Sequence, residues 1–271
     1  MNKVCDAKRA GIVVSELSNF VAQGLQKSAF GMMFCAITIP LTQAQIIKFS
    51  VNTGYERYYY EEPGMMQLSG DQYVVGGRVL VKFDAGNALI VEGRYAGAEV
   101  DYVSPRSGSS PGQALSINEF RLLGERTYKR SNLEFRPFAG IGMRRLSNDA
   151  QGLTTTNGDI GYLRVSTYKY LPFGVNVVVG SSIGIKVEYD HLLNGRQDSH
   201  IPGELIQNRQ SRGHGQRVSI TSSHGSWVTE PYFQRWHIKA SNIVACLGGF
   251  QLCREPENFS TEIGVNVQYS F

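Results

Sequence analysis

The sequence predicts an all-β protein, a ten-stranded antiparallel transmembrane β-barrel of the up-and-down type, on three observations. Many segments alternate apolar with polar residues, and a period of two places the apolar side chains on one face of a strand. These segments are about 9–11 residues long, the length of a tilted strand that crosses a bilayer. The connections between them alternate between long and short, as in barrels with tight turns at one end and larger loops at the other.

Composition is compatible with this fold class. The chain has 271 residues, of which 42% are hydrophobic and 18% are charged, and it contains 30 glycines. A barrel exposes only alternate residues to lipid, so its average hydropathy resembles that of a water-soluble protein. A soluble β-sandwich would have a similar composition. In a sandwich, however, there is no physical reason for long and short connections to alternate along the chain.

The first segment of the chain is predicted to be a signal peptide, residues 1–44, cleaved after Ala44. It contains an apolar run at 28–41 with the length of a signal-peptide core. A membrane-spanning helix would need about 20 apolar residues, and Pro40 interrupts this run. The mature barrel is then predicted to comprise residues 45–271, exported to the cell outer membrane of a Gram-negative bacterium.

The charge of the mature chain gives no reason to expect a nucleic-acid partner. The leader holds four of the 27 Lys and Arg residues and two of the 23 Asp and Glu residues, which leaves 23 basic against 21 acidic side chains. No basic and aromatic cluster contradicts this balance.

Two cysteines remain after the leader is removed, Cys246 and Cys253, with six residues between them around a Gly-Gly turn. In an exported protein such a pair predicts a local disulfide. A metal site would need further ligands nearby, and the local sequence has none. We therefore expect neither a metal nor a cofactor.

The predicted connections define the topology. The long ones are 61–72, 102–117, 145–161, 191–214 and 239–259, and the short ones are 84–88, 128–132, 171–174 and 222–225. Ten strands follow, with both ends of the mature chain on the short-turn side. The barrel must close, because an open edge in hydrocarbon would leave N–H and C=O groups without partners.

The last segment, 260–271, has the clearest alternation in the chain and ends on an aromatic residue. Apolar or β-branched residues alternate with small or polar ones up to Tyr269 and Phe271. This ending resembles the C-terminal signature of bacterial outer-membrane β-barrels, whose last strand and terminal aromatic are read by the insertion machinery. The resemblance implies that Tyr269 and Phe271 close the barrel and form its insertion signal.

Charged residues of both signs are expected on the inward face. The predicted network comprises Glu92, Arg94, Glu119, Arg121, Glu134, Arg136, Lys186, Glu188, Glu230 and Glu262. Ten strands enclose a lumen only slightly wider than the eight-stranded barrel, which side chains fill. Long side chains of opposite sign should pair there, so we expect a salt-bridged plug. The alternative is an ion-selective ring in a narrow channel.

We predict no catalytic residue, because no candidate base has an identifiable partner in the sequence. His191, Asp198 and His200 lie in the long connection 191–214 beside Asp190, where the ten-stranded omptin proteases carry rim residues. The paired acidic motif of that family is not evident, since Asp101 is a lone acid. A His in a polar loop is usually just solvated, so we expect a protein that is not an enzyme.

Three further segments, 189–200, 230–236 and 255–264, resemble parts of a family of uncharacterised proteobacterial outer-membrane β-barrel proteins. The resemblance covers about the second half of the mature chain. It implies the same fold and location, but no activity.

Three functions remain open. The first is a barrel scaffold whose surface loops serve adhesion, surface contact or membrane integrity, since loops on a rigid scaffold commonly carry binding. The others are a narrow porin-like channel and an omptin-like surface hydrolase. The expected partners are outer-membrane lipid and lipopolysaccharide, the insertion machinery, and a host or environmental surface ligand.

Aromatic residues near strand ends are predicted to anchor the barrel at the membrane interface: Tyr59, Tyr168, Tyr170, Trp227 and Trp236. For Trp236 the alternative is an inward orientation.

Overall fold

The computed structural model describes residues 46–180 and 182–271. The predicted signal peptide, residues 1–44, lies outside the described residues. Within the two described ranges, no helix has the length and apolar character needed to cross a membrane.

The described chain is built from β-strands. They are β1 (Ile46–Glu62), β2 (Met66–Lys82), β3 (Asn87–Ser104), β4 (Gly108–Arg126), β5 (Tyr128–Arg130), β6 (Leu133–Asp149), β7 (Leu163–Val179), β8 (Ile183–Ile201), β9 (Glu204–Gln210), β10 (Gly213–His224), β11 (Trp227–Ile238), β12 (Val244–Cys246), β13 (Gln251–Cys253) and β14 (Asn258–Ser270). Ten of them form the barrel in the order β1, β2, β3, β4, β6, β7, β8, β10, β11 and β14, and every neighbouring pair is antiparallel.

The barrel closes where β14 pairs with β1. Their register runs from Ser50 opposite Ser270 to Glu61 opposite Phe259, and the Phe271 amide donates to the Phe49 carbonyl at 2.9 Å. The row of paired residues that starts at Phe49 passes around the wall and returns to β1 at Glu61, twelve residues further along. Such a stagger tilts the strands against the barrel axis, as closure of a sheet requires. The predicted ten-stranded transmembrane barrel is therefore confirmed.

The outer wall carries a continuous apolar band. On β1 it runs from Ile47 through Phe49 and Val51 to Tyr55, all more than two-fifths exposed. The polar Ser50 and Glu56 on the same strand point into the lumen and are buried. An outside that is apolar and an inside that is polar is the reverse of a soluble protein and suits a wall in contact with lipid.

The strands are longer than predicted, and three of the predicted long loops are wrong. Segments 61–72, 102–117 and 191–214 are mostly strand. Only three residues separate β1 from β2 and β3 from β4, and β8 continues to Ile201 before β9 begins at Glu204. The barrel strands extend to 19 residues in β4 and β8. At the end of the barrel away from the tight turns, the outer face of these strands is polar. Such a segment has the sequence pattern of a loop, but it is suited to a wall that projects into water.

The predicted turn at 171–174 is also wrong. These residues lie inside β7, and the chain turns between Val179 and Ile183, where Gly180 has a positive φ of 65°. Gly174 is required for close packing, since a Cβ there would lie 2.2 Å from the Val187 carbonyl oxygen and 2.8 Å from the Phe138 ring. The nearby proline and glycine were therefore interpreted as a turn, although the glycine lies within a strand where neighbouring atoms leave no room for a side chain.

Glycine positions on the two faces of the wall give a paired test of close packing. A Cβ at the inward Gly140 would lie 2.0 Å from the Leu122 carbonyl oxygen, whereas one at the outward Gly93 would meet nothing within 4 Å. We expect Gly140→Ala to lower the free energy of unfolding by about 1–3 kcal/mol because of overpacking. Gly93→Ala should leave it unchanged or slightly higher. Urea unfolding of the refolded barrel in lipid vesicles measures both, and equal effects would contradict the packing described.

Candidate functional site

The ten residues of the predicted lumen network all point inward, and they form separate groups. The central group joins Arg94 to Glu56 at 2.5 Å and to Glu262 at 3.2 Å. Arg144 hydrogen-bonds to Glu262 and lies 3.7 Å from Glu119. These five residues come from β1, β3, β4, β6 and β14. The group therefore connects strands that are not neighbours in the wall.

A second group surrounds Arg121. Its guanidinium donates to Glu188 at 2.6 Å and also hydrogen-bonds to Glu92. Lys186 lies 2.8 Å from Glu188, and Arg78 lies 3.6 Å from Glu92. Three cations and two carboxylates thus alternate across β2, β3, β4 and β8.

Two smaller pairs complete the network. Arg217 lies 3.3 Å from Glu230 and donates to the Gln234 amide oxygen at 3.1 Å. Arg136 pairs with Glu134 at the tight-turn end of the barrel, where the Glu134 side chain retains 18% exposure. This last pair is a rim contact and is separate from the buried groups.

The network contains four members that the sequence analysis did not include: Glu56, Arg78, Arg144 and Arg217. Arg144 lies directly before the predicted connection 145–161, so its inward face was not assigned. Glu56 and Arg78 lie at polar positions of two predicted strands but were not counted as lumen charges. For Arg217 the predicted strand carried no face assignment, although a two-residue alternation from Val218 would have placed it inward.

The lower half of the lumen, toward the tight turns, contains a polar cavity of about 250 Å³. Its lining includes residues of every group described above, Arg78, Glu92, Arg94, Arg121, Lys186 and Arg217, together with Asn52, Asn176 and Asn266. The cavity is bounded by the buried ion pairs at mid-height.

The upper half of the lumen is filled by apolar and aromatic side chains, which we call the apolar plug. It consists of Tyr58, Tyr60, Met66, Leu68, Val74, Ala96, Val100, Leu115, Ile117, Leu146, Tyr168, Tyr170, Leu192, Trp236 and Ile238. Trp236 lies at its base, with ring centroids 6.1 Å from Tyr168 and 5.0 Å from Tyr170 and with the Arg144 guanidinium 5.9 Å away. Between the ion pairs at mid-height and the outer mouth, the lumen is therefore mainly apolar and aromatic.

Three of the predicted interface anchors belong to the lumen instead. Tyr168, Tyr170 and Trp236 are at most 4% exposed. The anchoring role predicted for the two tyrosines is wrong, and for Trp236 the alternative inward orientation is the one observed. The apolar alternation of β7 is weak because its inward face carries these tyrosines. Trp227 does face outward, with 54% of its surface exposed, and its ring lies 4.9 Å from that of Tyr269.

An ion-pair cluster covers the apolar plug on the outer side. Arg164 lies 2.5 Å from Glu62 and 3.2 Å from Glu255. Ser199 donates to Glu255 at 3.2 Å. Since Glu255 belongs to the segment between β13 and β14, the cluster holds that segment across the mouth of the barrel.

This outer segment contains the disulfide. Cys246 and Cys253 are bonded, with a Cα–Cα distance of 5.8 Å, and they join the short strands β12 and β13. The hairpin is fastened to β9, because the Leu247 amide donates to Glu204 at 2.6 Å and the Arg209 amide donates to Asn242 at 2.7 Å. The predicted disulfide therefore braces a hairpin outside the membrane.

Four apolar side chains of this hairpin and its flank are exposed, and we call them the apolar tip: Ile243, Leu247, Phe250 and Leu252. Phe250 is 91% and Leu252 is 77% exposed. The chain that follows returns to the wall at Glu257. The Lys239 ammonium, 2.7 Å away, and the His237 ring, 2.5 Å away, hold the pKa of the Glu257 carboxyl below its usual range.

The residues considered for hydrolysis are not brought together. Asp190 is buried in the lumen, whereas the neighbouring His191 is on the outer face. Asp198 is paired with Arg196 at 2.7 Å, and His200 is exposed near the top of β8. In the described parts of the chain, no three His, Cys, Asp or Glu side chains form a group that could hold a metal ion.

These features define a transmembrane β-barrel with a filled lumen. No family model and no curated sequence matches the chain. Among solved structures it is similar to the translocator domain of the autotransporter NalP from Neisseria meningitidis, at 11% identity over 98% of both chains with a TM-score of 0.44. It is also similar to Ail, the attachment invasion locus protein of Yersinia pestis, at 9% identity over 83% of this chain and 99% of Ail, with a TM-score of 0.34. At these levels the comparisons assign neither a family nor a function.

The central ion pairs give a test of the lumen. Glu262→Gln removes the carboxylate shared by Arg94 and Arg144 and leaves buried guanidinium charge with one partner fewer. We expect the free energy of unfolding to fall by about 3 kcal/mol. The matched control is Glu99→Gln on the exposed outer face of β3, expected to change it by less than about 0.5 kcal/mol. Urea titration of both refolded variants measures the difference, and a loss no larger than the control's would argue against a buried network.

Proposed function

We propose that this protein is an outer-membrane β-barrel that acts as a non-catalytic scaffold for contact with external surfaces. The observation that carries the proposal is the apolar tip, which is displayed on a disulfide-braced hairpin above a filled barrel. A narrow channel and a rim hydrolase are the competing functions.

The outer-membrane location is supported by the wall of the barrel. Its outside is apolar across the height of a bilayer core, and its backbone edges are paired all round, as hydrocarbon demands. Closed barrels with this exterior are the form in which β-structure crosses bacterial outer membranes. Outer-membrane lipid and the insertion machinery are the partners that this location implies.

The scaffold function is favoured over a channel by how the lumen is filled. Aromatic and aliphatic side chains occupy the upper half, and the Arg164 cluster covers them. The cavity of about 250 Å³ is confined to the lower half. Such an interior stabilises the barrel as a support and favours a closed lumen over a conducting one.

The apolar tip has the properties of a contact site. Large apolar side chains that are exposed together on a soluble surface usually mark a place where another surface binds. Disulfide bracing lowers the conformational freedom that would be lost on binding. The tip carries no charged side chain of its own, so its partner should be an apolar or aromatic surface.

Adhesion of whole cells to polystyrene tests this function. We expect Phe250→Ser combined with Leu252→Ser to reduce the adhesion that the protein confers by about fivefold or more, because each side chain contributes about 1.5–3 kcal/mol when buried in a contact. The control is Ile160→Ser combined with Val103→Ser, which removes two other exposed apolar residues, 66% and 54% exposed. Surface amounts are matched by heat-modifiable gel migration. Adhesion equal to wild type in the tip variant would refute the proposed contact site.

A further inference from the structure

Five outward-facing basic side chains lie on four neighbouring strands of the wall. They are Lys169 on β7, His191 on β8, His214 on β10, and Arg235 and His237 on β11. His191 lies directly opposite His214, and His214 lies opposite His237. We call these five residues the basic rim patch.

Four members of the patch lie at nearly the same height on the barrel. The paired row containing His191 and His214 passes through Leu171 on β7 and His237 on β11. Lys169 is two residues above Leu171, and Arg235 is two residues below His237. Because the row itself climbs by a little over one residue per strand, these offsets bring Lys169, His191, His214 and Arg235 to within about 4 Å of one level.

That level is the upper edge of the apolar band. Directly below the patch, the outer faces of the same four strands carry Phe173, Val187, Val218 and Phe233, which are 41–49% exposed. These side chains face hydrocarbon in a bilayer. The basic rim patch therefore lies where the headgroups of the outer leaflet begin.

The two permanent cations of the patch are Lys169 and Arg235. In residues 46–180 and 182–271 no ion pair involves either of them, while the His237 ring contacts Glu257. On the other side of the barrel, the outward-facing Arg57 is paired with Asp71 at 3.2 Å.

Ring contacts hold part of the patch in place. The Arg235 guanidinium lies 4.9 Å from the centroid of the Phe259 ring. The His214 ring stacks on Tyr189 at 5.5 Å, and the His237 ring stacks on Phe259 at 4.3 Å. These contacts reduce side-chain freedom before a ligand arrives, which favours binding.

We propose that the basic rim patch binds the phosphate groups of lipid A, the glycolipid part of lipopolysaccharide. This inference rests on the proposed outer-membrane location. Arginine and lysine are the side chains that recognise phosphate, arginine by a planar fork of donors and lysine as a point charge. The patch spans three strand spacings from Lys169 to Arg235, about 14 Å. A disaccharide with a phosphate at each end spans such a width, whereas a phosphatidylglycerol headgroup presents a single phosphate.

The test uses the full chain purified in a zwitterionic detergent and three probes: bisphosphorylated lipid A, the same lipid without phosphates, and phosphatidylglycerol. Binding is measured by titration with native mass spectrometry. We expect lipid A to bind about tenfold more tightly than either other lipid. Lys169→Gln combined with Arg235→Gln should weaken lipid A binding by about tenfold or more, since two cations near the phosphates are removed.

Controls separate this site from general charge effects. Arg57→Gln combined with Lys129→Gln removes the same charge elsewhere, at positions paired with Asp71 and Glu134, and should change lipid A binding by less than about twofold. Lys169→Arg combined with Arg235→Lys keeps the charge and should retain binding. If the glutamine variant does not refold, Lys169→Gln alone is expected to weaken binding about threefold. Equal losses in the patch and control variants, or equal affinity for all three lipids, would overturn the inference without affecting the adhesion test of the apolar tip.

Discussion

Closure of the wall between β1 and β14 is the constraint on which the rest of the structure depends. In hydrocarbon each unpaired backbone N–H or C=O costs several kcal/mol, so a transmembrane sheet cannot have an open edge. Pairing of β1 with β14, with Ser50 opposite Ser270, provides hydrogen-bond partners for the backbone groups of both strands at this edge. It also sets the stagger of twelve residues that fixes the tilt and the width of the lumen.

A closed barrel of this width must then be filled. The protein uses buried ion pairs at mid-height and an aromatic plug above them. The ion pairs add little net stability but make the loss of any one partner costly. They also connect strands that do not touch, as Glu56, Arg94 and Glu262 do. The plug adds apolar contacts and excludes water, so the outer segment with its disulfide is supported by a rigid base.

The sequence predicts the wall better than its contents. The alternation from Ile47 to Tyr55 depends only on which face meets lipid, and lipid imposes the same rule on every strand. The inward face has no such single rule, because both Glu262 and Trp236 are stable there. Only three-dimensional neighbours decide whether an inward residue is charged or aromatic.

Connections were the least predictable element for a similar reason. Above the membrane water imposes no apolar face on a strand, so the strand ends at Glu62 and Ser104 have no period-two signal. Pro172 and Gly174 resemble a turn, although Gly174 serves close packing against Phe138. The apolar tip could be suspected from Phe250 beside a Gly-Gly pair, but its exposure follows from the docking of the hairpin on β9.

The central claim is that the barrel is closed and its lumen is filled. Planar-bilayer recording of the refolded protein tests this claim most directly. The account predicts no stable unitary conductance steps for the wild type. It predicts their appearance when Tyr58→Gly and Trp236→Gly remove two of the largest side chains of the apolar plug. Stable steps from the wild-type protein at the same voltage would contradict it.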